Sequence, residues 1–205
     1  MKNGIVRLNC SYSPAPYQTG AVLFINVYIT LIDKYRKIIY IFYMKTIYFD
    51  MDGVLCDFNA RCDELECWKP DVHKCNWNKM KEIGPSFWSD MKPIQKGLML
   101  LKKVKEYADK NPGIEVGIFS AVHLWEGKNG KKAWLKKYVP FIPKELIKII
   151  NNGNFKHQEA TPDSILIDDK EKNVENYRNA GGHSVLFSQD KSIDGMFDEI
   201  VSNLQ

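Results

Sequence analysis

The sequence is short of three things, and each absence closes off a class of function. The mostly apolar run Ala21 to Ile32 is broken by Asn26 and Thr30. It falls short of the ~20 residues that span a bilayer. It also starts late and lacks a small-residue cleavage site, which speaks against a signal peptide. No membrane association is expected for 44–205. A disulfide framework is missing too. The five cysteines, Cys10, Cys56, Cys62, Cys67 and Cys75, are odd in number and irregular in spacing. That usage points to reduced thiols and a cytoplasmic setting. Cys62, Cys67, His73 and Cys75 contain no C-x2-C or H-x3-H pair, so they read as thiols in a small helical segment rather than a zinc site. Finally, the main part of the chain has no excess charge. Residues 1–43 carry Lys2, Arg7, Lys34, Arg36 and Lys37 against Asp33 alone, which accounts for the whole net charge of +4. A long nucleic-acid track needs a basic stripe, so no stable nucleic-acid partner is expected.

What is present is ordinary for a globular protein: 205 residues, 44% hydrophobic and 26% charged. That length suits one domain with a small insertion. Residues 1–43 differ from the rest, and Met44-Lys45-Thr46 leads straight into a strand. We expect 1–43 to be an extension outside the fold, with Met44 as the natural start and 44–205 as the working domain. A membrane-associating segment is the alternative for 1–43.

The chain is organised around Ile47 to Asp57, I-Y-F-D-M-D-G-V-L-C-D. Ile47-Tyr48-Phe49 reads as a buried strand. It ends in Asp50 and Asp52, and burying paired like charges is costly unless a cation compensates. Phe58 to Lys81 has a polar helical pattern punctuated by Pro70, Gly84 and Pro85, which predicts a small, mainly helical cap over about 58–92. Leu98 to Tyr107 repeats at helical spacing and stops at Asn111-Pro112-Gly113. Ile114 to Phe119 is a strand ending at Ser120. His123 to Gly130 reads as polar loop and Lys131 to Tyr138 as helix. Leu146 to Ile150 is a short strand or a helix end. Ser164 to Ile167 is a strand ending in Asp168-Asp169. A helix over Asn173 to Ala180, a strand over His183 to Phe187 and a helix over Ile193 to Leu204 complete the pattern.

This alternation predicts an α/β fold, a Rossmann-like parallel sheet with helices on both faces and the cap inserted after the first strand. The strand ends then bring Asp50, Asp52, Ser120, Asp168 and Asp169 to one edge. Such an oxygen-rich set suits Mg²⁺. Phe87 and Trp88 are candidates to stack on a planar ligand, although packing of the cap explains them as well.

Asp50-Met51-Asp52-Gly53-Val54, Ser120, a later lysine and Asp168-Asp169 together resemble the motifs of the haloacid dehalogenase-like phosphohydrolases. Within that superfamily the stretches 50–58, 87–94, 131–138 and 165–170 resemble the 5′(3′)-deoxyribonucleotidases. The resemblance implies an Mg²⁺-dependent phosphomonoesterase acting on (deoxy)nucleoside monophosphates. Asp50 is then the nucleophile that forms an aspartyl-phosphate, and Asp52 the general acid and base. Dehalogenases and ATPases of the superfamily lack an acid at the Asp52 position. The metal falls to Asp50, the Asp52 carbonyl and Asp169, with Asp168 in support. Ser120 and a lysine bind the phosphate; Lys156 fits the family placement better, and Lys131 is the alternative. Phe58, Phe87 and Trp88 map onto base-stacking positions. The expected partner is a small nucleotide, and a homodimer is left open. Competing readings are a phosphatase for another small phosphate ester or a nucleic-acid 3′-phosphate, and a non-catalytic binding protein, against which intact Asp50 and Asp52 speak.

Overall fold

The computed structural model describes residues 44–70 and 74–205, which lie in one compact unit, Tyr43–Gln205. The expected extension 1–43 lies outside the described residues. Among the described residues five strands form one sheet: β1 (Lys45–Phe49), β2 (Ile114–Ala121), β3 (Ile147–Ile150), β4 (Ser164–Asp168) and β5 (His183–Leu186). Their order is β3-β2-β1-β4-β5 and every pairing is parallel. Among the described residues no helix is long and apolar enough to cross a membrane.

The sheet is covered on both faces, and the strands show why. Successive strand side chains point to opposite faces. Ile47 and Phe49, Val116 and Ile118, and Ile165 and Ile167 enter the main core. The intervening Tyr48, Phe119 and Leu166 form a second cluster. The main core is completed by Leu100, Leu101 and Val104 of α4 (Gln95–Lys110), Trp134 and Leu135 of α5 (Trp125–Tyr138), and Met196 and Ile200 of α7 (Ile193–Ser202). Tyr177 of α6 (Glu171–Asn179) closes the other face. Each fully buried aliphatic side chain contributes roughly 1.5–3 kcal/mol.

Between β1 and α4 lie three short helices: α1 (Phe58–Glu64), α2 (Trp77–Ile83) and α3 (Ser86–Ser89). Asp57 caps α1 through the Ala60 N–H, and Asn76 caps α2 through the Lys79 N–H. These are the side chains that best satisfy the free amides of a first turn.

One expectation is corrected here. The polar stretch His123 to Gly130 is not all loop, because α5 begins at Trp125. Gly127 and Gly130 look like loop residues in isolation, but they are where α5 meets α3. A Cβ at Gly127 would lie 2.8 Å from Trp88 Cε2, and one at Gly130 would lie 2.3 Å from the Pro85 carbonyl oxygen. Close helix packing, not backbone freedom, explains both glycines. The ambiguous stretch Leu146 to Ile150 resolves as a 3-10 turn, Lys144–Leu146, followed by β3.

Register determines what meets at the sheet edge. Phe49 of β1 pairs with Ile118 on one side and Ile167 on the other. Asp50, Ser120, Asp168 and Asp169 therefore emerge within two residues of the same level. The central strand lies between neighbours reached in opposite directions, which is where open parallel sheets bind ligands.

Candidate active site

Asp50 is 4% exposed at the end of β1. Its Oδ1 accepts the Met51 N–H at 2.7 Å, and its Oδ2 lies 2.8 Å from Lys156 Nζ. Lys156, itself 2% exposed, sits on the 3-10 helix Gly153–Glu159 and also donates to Asp168 Oδ2 at 2.7 Å. Asp168 is fully buried; it accepts further hydrogen bonds from the Lys170 N–H and from Asn173 Nδ2. Burial alone would raise the Asp50 carboxyl, but Lys156 and then Lys131 hold it below its ordinary value. Burial likewise disfavours the charge on Lys156, and Asp50 and Asp168 more than reverse that effect. Asp168 stays above its ordinary value because burial and Asp50 outweigh Lys156.

Asp169 completes the carboxylate group. One oxygen from each of Asp50, Asp168 and Asp169 lies within 4.8 Å of the others; among the described residues no other such cluster of potential metal ligands occurs. The Asp169 Oδ1 atom is buried with no hydrogen-bond partner. Burial, then Asp50 and Asp168, push its carboxyl up to about 7. Gly53, at φ +80°, makes room for it, since a Cβ there would lie 2.2 Å from Asp169 Oδ2. Three converging carboxylates, one with an orphaned buried oxygen, are a donor set that fits a hard divalent cation such as Mg²⁺.

Asp52 faces elsewhere. Its Oδ2 accepts from Lys131 Nζ at 2.6 Å, and the Cys56 thiol donates to Oδ1 at 3.8 Å. The fully buried Lys131 also donates to Ser120 Oγ at 2.9 Å and to the Ala121 carbonyl at 2.7 Å. The two lysines weighed against each other in the sequence are both present at the site, Lys156 against Asp50 and Lys131 against Asp52. Lys131 does not open a helix, as expected, but projects from the middle of α5.

Part of this group opens onto one cavity of about 200 Å³. Asp50, Asp52 and Lys156 contribute to it together with Phe58, Trp77, Trp88 and His123. Of the expected aromatic set, Phe58 and Trp88 line the cavity and Phe87 does not. Phe87 is fully buried, away from the cavity lining, and packs edge-on against Phe58 at 5.5 Å and Trp88 at 4.9 Å. It serves the core, because its position on α3 turns it inward. Trp88 reaches the cavity wall while remaining only 1% exposed.

Trp77 and His123, not singled out in the sequence, also line this cavity. Their rings meet at 4.9 Å in an edge-to-face arrangement on the cavity wall. No local pattern marks Trp77. His123 follows Ser120 by three residues, so proximity to a functional strand end was the available clue. Asn173 was likewise missed as a partner of Asp168; its place in the first turn after Asp168-Asp169 was the signal.

Comparison with known proteins matches residues 61–199, more than half the chain, to a family model described as 5′ nucleotidase, deoxy (pyrimidine), cytosolic type C protein. The matched region includes Ser120, Lys131, Lys156, Asp168 and Asp169, and begins after Asp50 and Asp52. A search of curated proteins finds no significant match. Among solved structures, the HAD domain of the effector protein Lem4 from Legionella pneumophila is 16% identical with a TM-score of 0.45, covering 79% of this chain and 96% of that one. A haloacid dehalogenase-like hydrolase from Streptococcus pneumoniae is 12% identical with a TM-score of 0.45, covering 79% and 91%. A HAD family enzyme from Bacteroides thetaiotaomicron, solved with magnesium and inorganic phosphate, is 15% identical with a TM-score of 0.45, covering 75% and 99%.

Proposed function

Since this chain belongs to the family of 5′ nucleotidase, deoxy (pyrimidine), cytosolic type C proteins, and is thus a phosphomonoesterase of the 5′-nucleotidase type, we propose that it hydrolyses (deoxy)nucleoside monophosphates with Mg²⁺ through an aspartyl-phosphate on Asp50. The observation that carries this reading is the different surroundings of the two aspartates. Asp50 is buried and kept ionised by Lys156, as a nucleophile must be. Asp52, two residues on, is more open to the cavity and tied to a different lysine, Lys131.

Asp50, Asp168 and Asp169 would hold Mg²⁺, which when bound screens repulsion between the carboxylate nucleophile and the phosphate dianion. A carboxylate oxygen of Asp50 attacks phosphorus, and the ester P–O bond breaks. Asp52 donates its proton to the departing nucleoside oxygen. Asp52 then takes a proton from a water, whose oxygen attacks the phosphorus of the aspartyl-phosphate. The acyl phosphate bond breaks, phosphate leaves and the Asp50 carboxylate is restored. Lys131 and Ser120, already bonded to each other, present positive charge and a hydroxyl for the transferring phosphoryl oxygens. Phe58, Trp77 and Trp88 supply apolar surface for the base.

The decisive assay measures phosphate release with Mg²⁺ from dUMP, dTMP, the matching ribonucleotides and sugar phosphates. Nucleotides should be the preferred substrates, and Asp50→Asn should abolish turnover while the fold survives. Wild-type rates in Asp50→Asn would overturn the covalent route, and preference for a sugar phosphate would overturn the nucleotide assignment.

A further inference from the structure

Three cysteines of the cap, outside the catalytic group, lie close together. Cys62 on α1 is fully buried, whereas Cys75, just before α2, is half-buried and lines the active-site cavity. The backbone ties the segments together. The Cys67 N–H donates to the Cys62 carbonyl at 2.7 Å, the Asn76 N–H donates to the Cys67 carbonyl at 2.7 Å, and Trp68 bridges antiparallel to Cys75. The neighbouring Cys75 pushes the Cys62 thiol up from its ordinary value, and Cys62 in turn draws Cys75 down. Cys67 does not compete, since its thiol points to the Leu65 carbonyl at 3.5 Å. All of these thiols are free.

We propose that Cys75 and Cys62 form an oxidative modification site in the cavity wall, closed to a disulfide by hydrogen peroxide. Cys75 is the attacking thiol and Cys62 the resolving one. The Cys75 thiolate attacks one peroxide oxygen, the O–O bond breaks, and hydroxide leaves, giving a sulfenic acid. The Cys62 sulfur then attacks the Cys75 sulfur. The S–O bond breaks, the S–S bond forms, and the Cys62 proton departs with the hydroxyl group as water. Two thiols are oxidised and one peroxide is reduced to water.

The order of events follows from the geometry. Cys75 faces the cavity, so a small oxidant reaches it first. Cys62 is the main influence drawing its thiol down to about 7, against burial and with help from Lys170, so a large thiolate fraction exists near neutral pH. Cys62, in the segment that backbone hydrogen bonds tie to Cys75, captures the sulfenic acid before further oxidation. Closing the bond shortens sulfur–sulfur separation to about 2.05 Å, and Trp77, two residues from Cys75 on the same wall, moves with it. Formation of the disulfide does not depend on the nucleotidase reading; its effect on nucleotide turnover does.

The test treats the reduced full-length protein with hydrogen peroxide and maps the thiol peptides by mass. The expected product is a Cys62–Cys75 linked peptide lacking two hydrogens and restored by dithiothreitol. Cys67→Ser should give the same product. In Cys62→Ser, Cys75 should instead gain two oxygens irreversibly, and in Cys75→Ala, Cys62 should stay reduced at the same dose. A Cys62–Cys67 link, or irreversible oxidation of Cys75 in the unaltered protein, would overturn the assignment. Oxidation should raise KM for dUMP by about threefold or more with kcat little changed, and dithiothreitol should restore it. An unchanged KM in fully linked protein would refute the coupling to the cavity. A reduced protein that forms the disulfide yet never hydrolyses dUMP would refute the nucleotidase reading and leave the modification site standing.

Discussion

Lys131 donates to Asp52 across 79 residues of sequence, Nζ to Oδ2 at 2.6 Å, and the same ammonium holds Ser120 and the Ala121 carbonyl. A helix from beyond β2 thus sets the orientation of the proposed acid/base. Replacing Lys131 with Met should remove that anchor. We expect kcat for a good nucleotide substrate to fall by about 10²-fold or more while the fold survives. Steady-state kinetics of folded Lys131→Met protein check this; an unchanged kcat would make Lys131 a packing residue.

Lys156 should matter more to stability. It is the buried cation directly paired with both Asp50 and Asp168. Lys156→Met leaves those carboxylates packed together without it, a change that costs about 3–5 kcal/mol. Because Mg²⁺ would supply replacement charge, the variant's melting temperature should rise more on adding Mg²⁺ than that of the unaltered protein. Thermal denaturation with and without Mg²⁺ measures both effects.

Asp169 yields a pH prediction with a definite sign. Its folded carboxyl is raised from 3.8 to about 7. The native state therefore holds a proton that the unfolded chain releases, so the stability Asp169 contributes is fully present below 3.8 and lost as pH rises towards about 7. Metal binding must expel that proton, so apparent Mg²⁺ affinity should climb by about tenfold per pH unit below 7. Asp169→Asn should flatten the stability difference and abolish the Mg²⁺ response. Isothermal titration and denaturant melts across this range decide it.

Trp77 and Trp88 should separate binding from packing. Trp77 is partly exposed on the cavity wall, so Trp77→Ala should raise KM for nucleotides and leave a generic aryl phosphate nearly unaffected. Trp88 fills the contact between α3 and α5, so Trp88→Ala should destabilise the fold by about 3–5 kcal/mol. Parallel kinetics and chemical denaturation distinguish the two residues.

Much of this was legible because the relevant signals are local. An apolar run ending in Asp50 and Asp52, and another ending in Asp168 and Asp169, mark two strand ends without any knowledge of the fold. The aromatics were less legible. Phe87 and Trp77 are both aromatic residues of the cap, and only the direction of their helices turns Phe87 into the core and Trp77 to the cavity. Gly127 and Gly130 misled for a similar reason. Their helix-breaking tendency is intrinsic, whereas the close approach of Trp88 and Pro85 that they permit is a property of the packed molecule.

The sequence by itself determined the parallel α/β architecture and the acidic strand ends, since alternation of apolar segments and the cost of burying unpaired carboxylates act within a few residues. Only the tertiary structure decided which lysine serves which aspartate. A lysine side chain spans several ångströms, and whether Nζ reaches Asp50 or Asp52 depends on where α5 and the Gly153–Glu159 turn dock, not on spacing along the chain. The packed structure also turned a choice between Lys131 and Lys156 into a pair, with each ammonium balancing its own carboxylate.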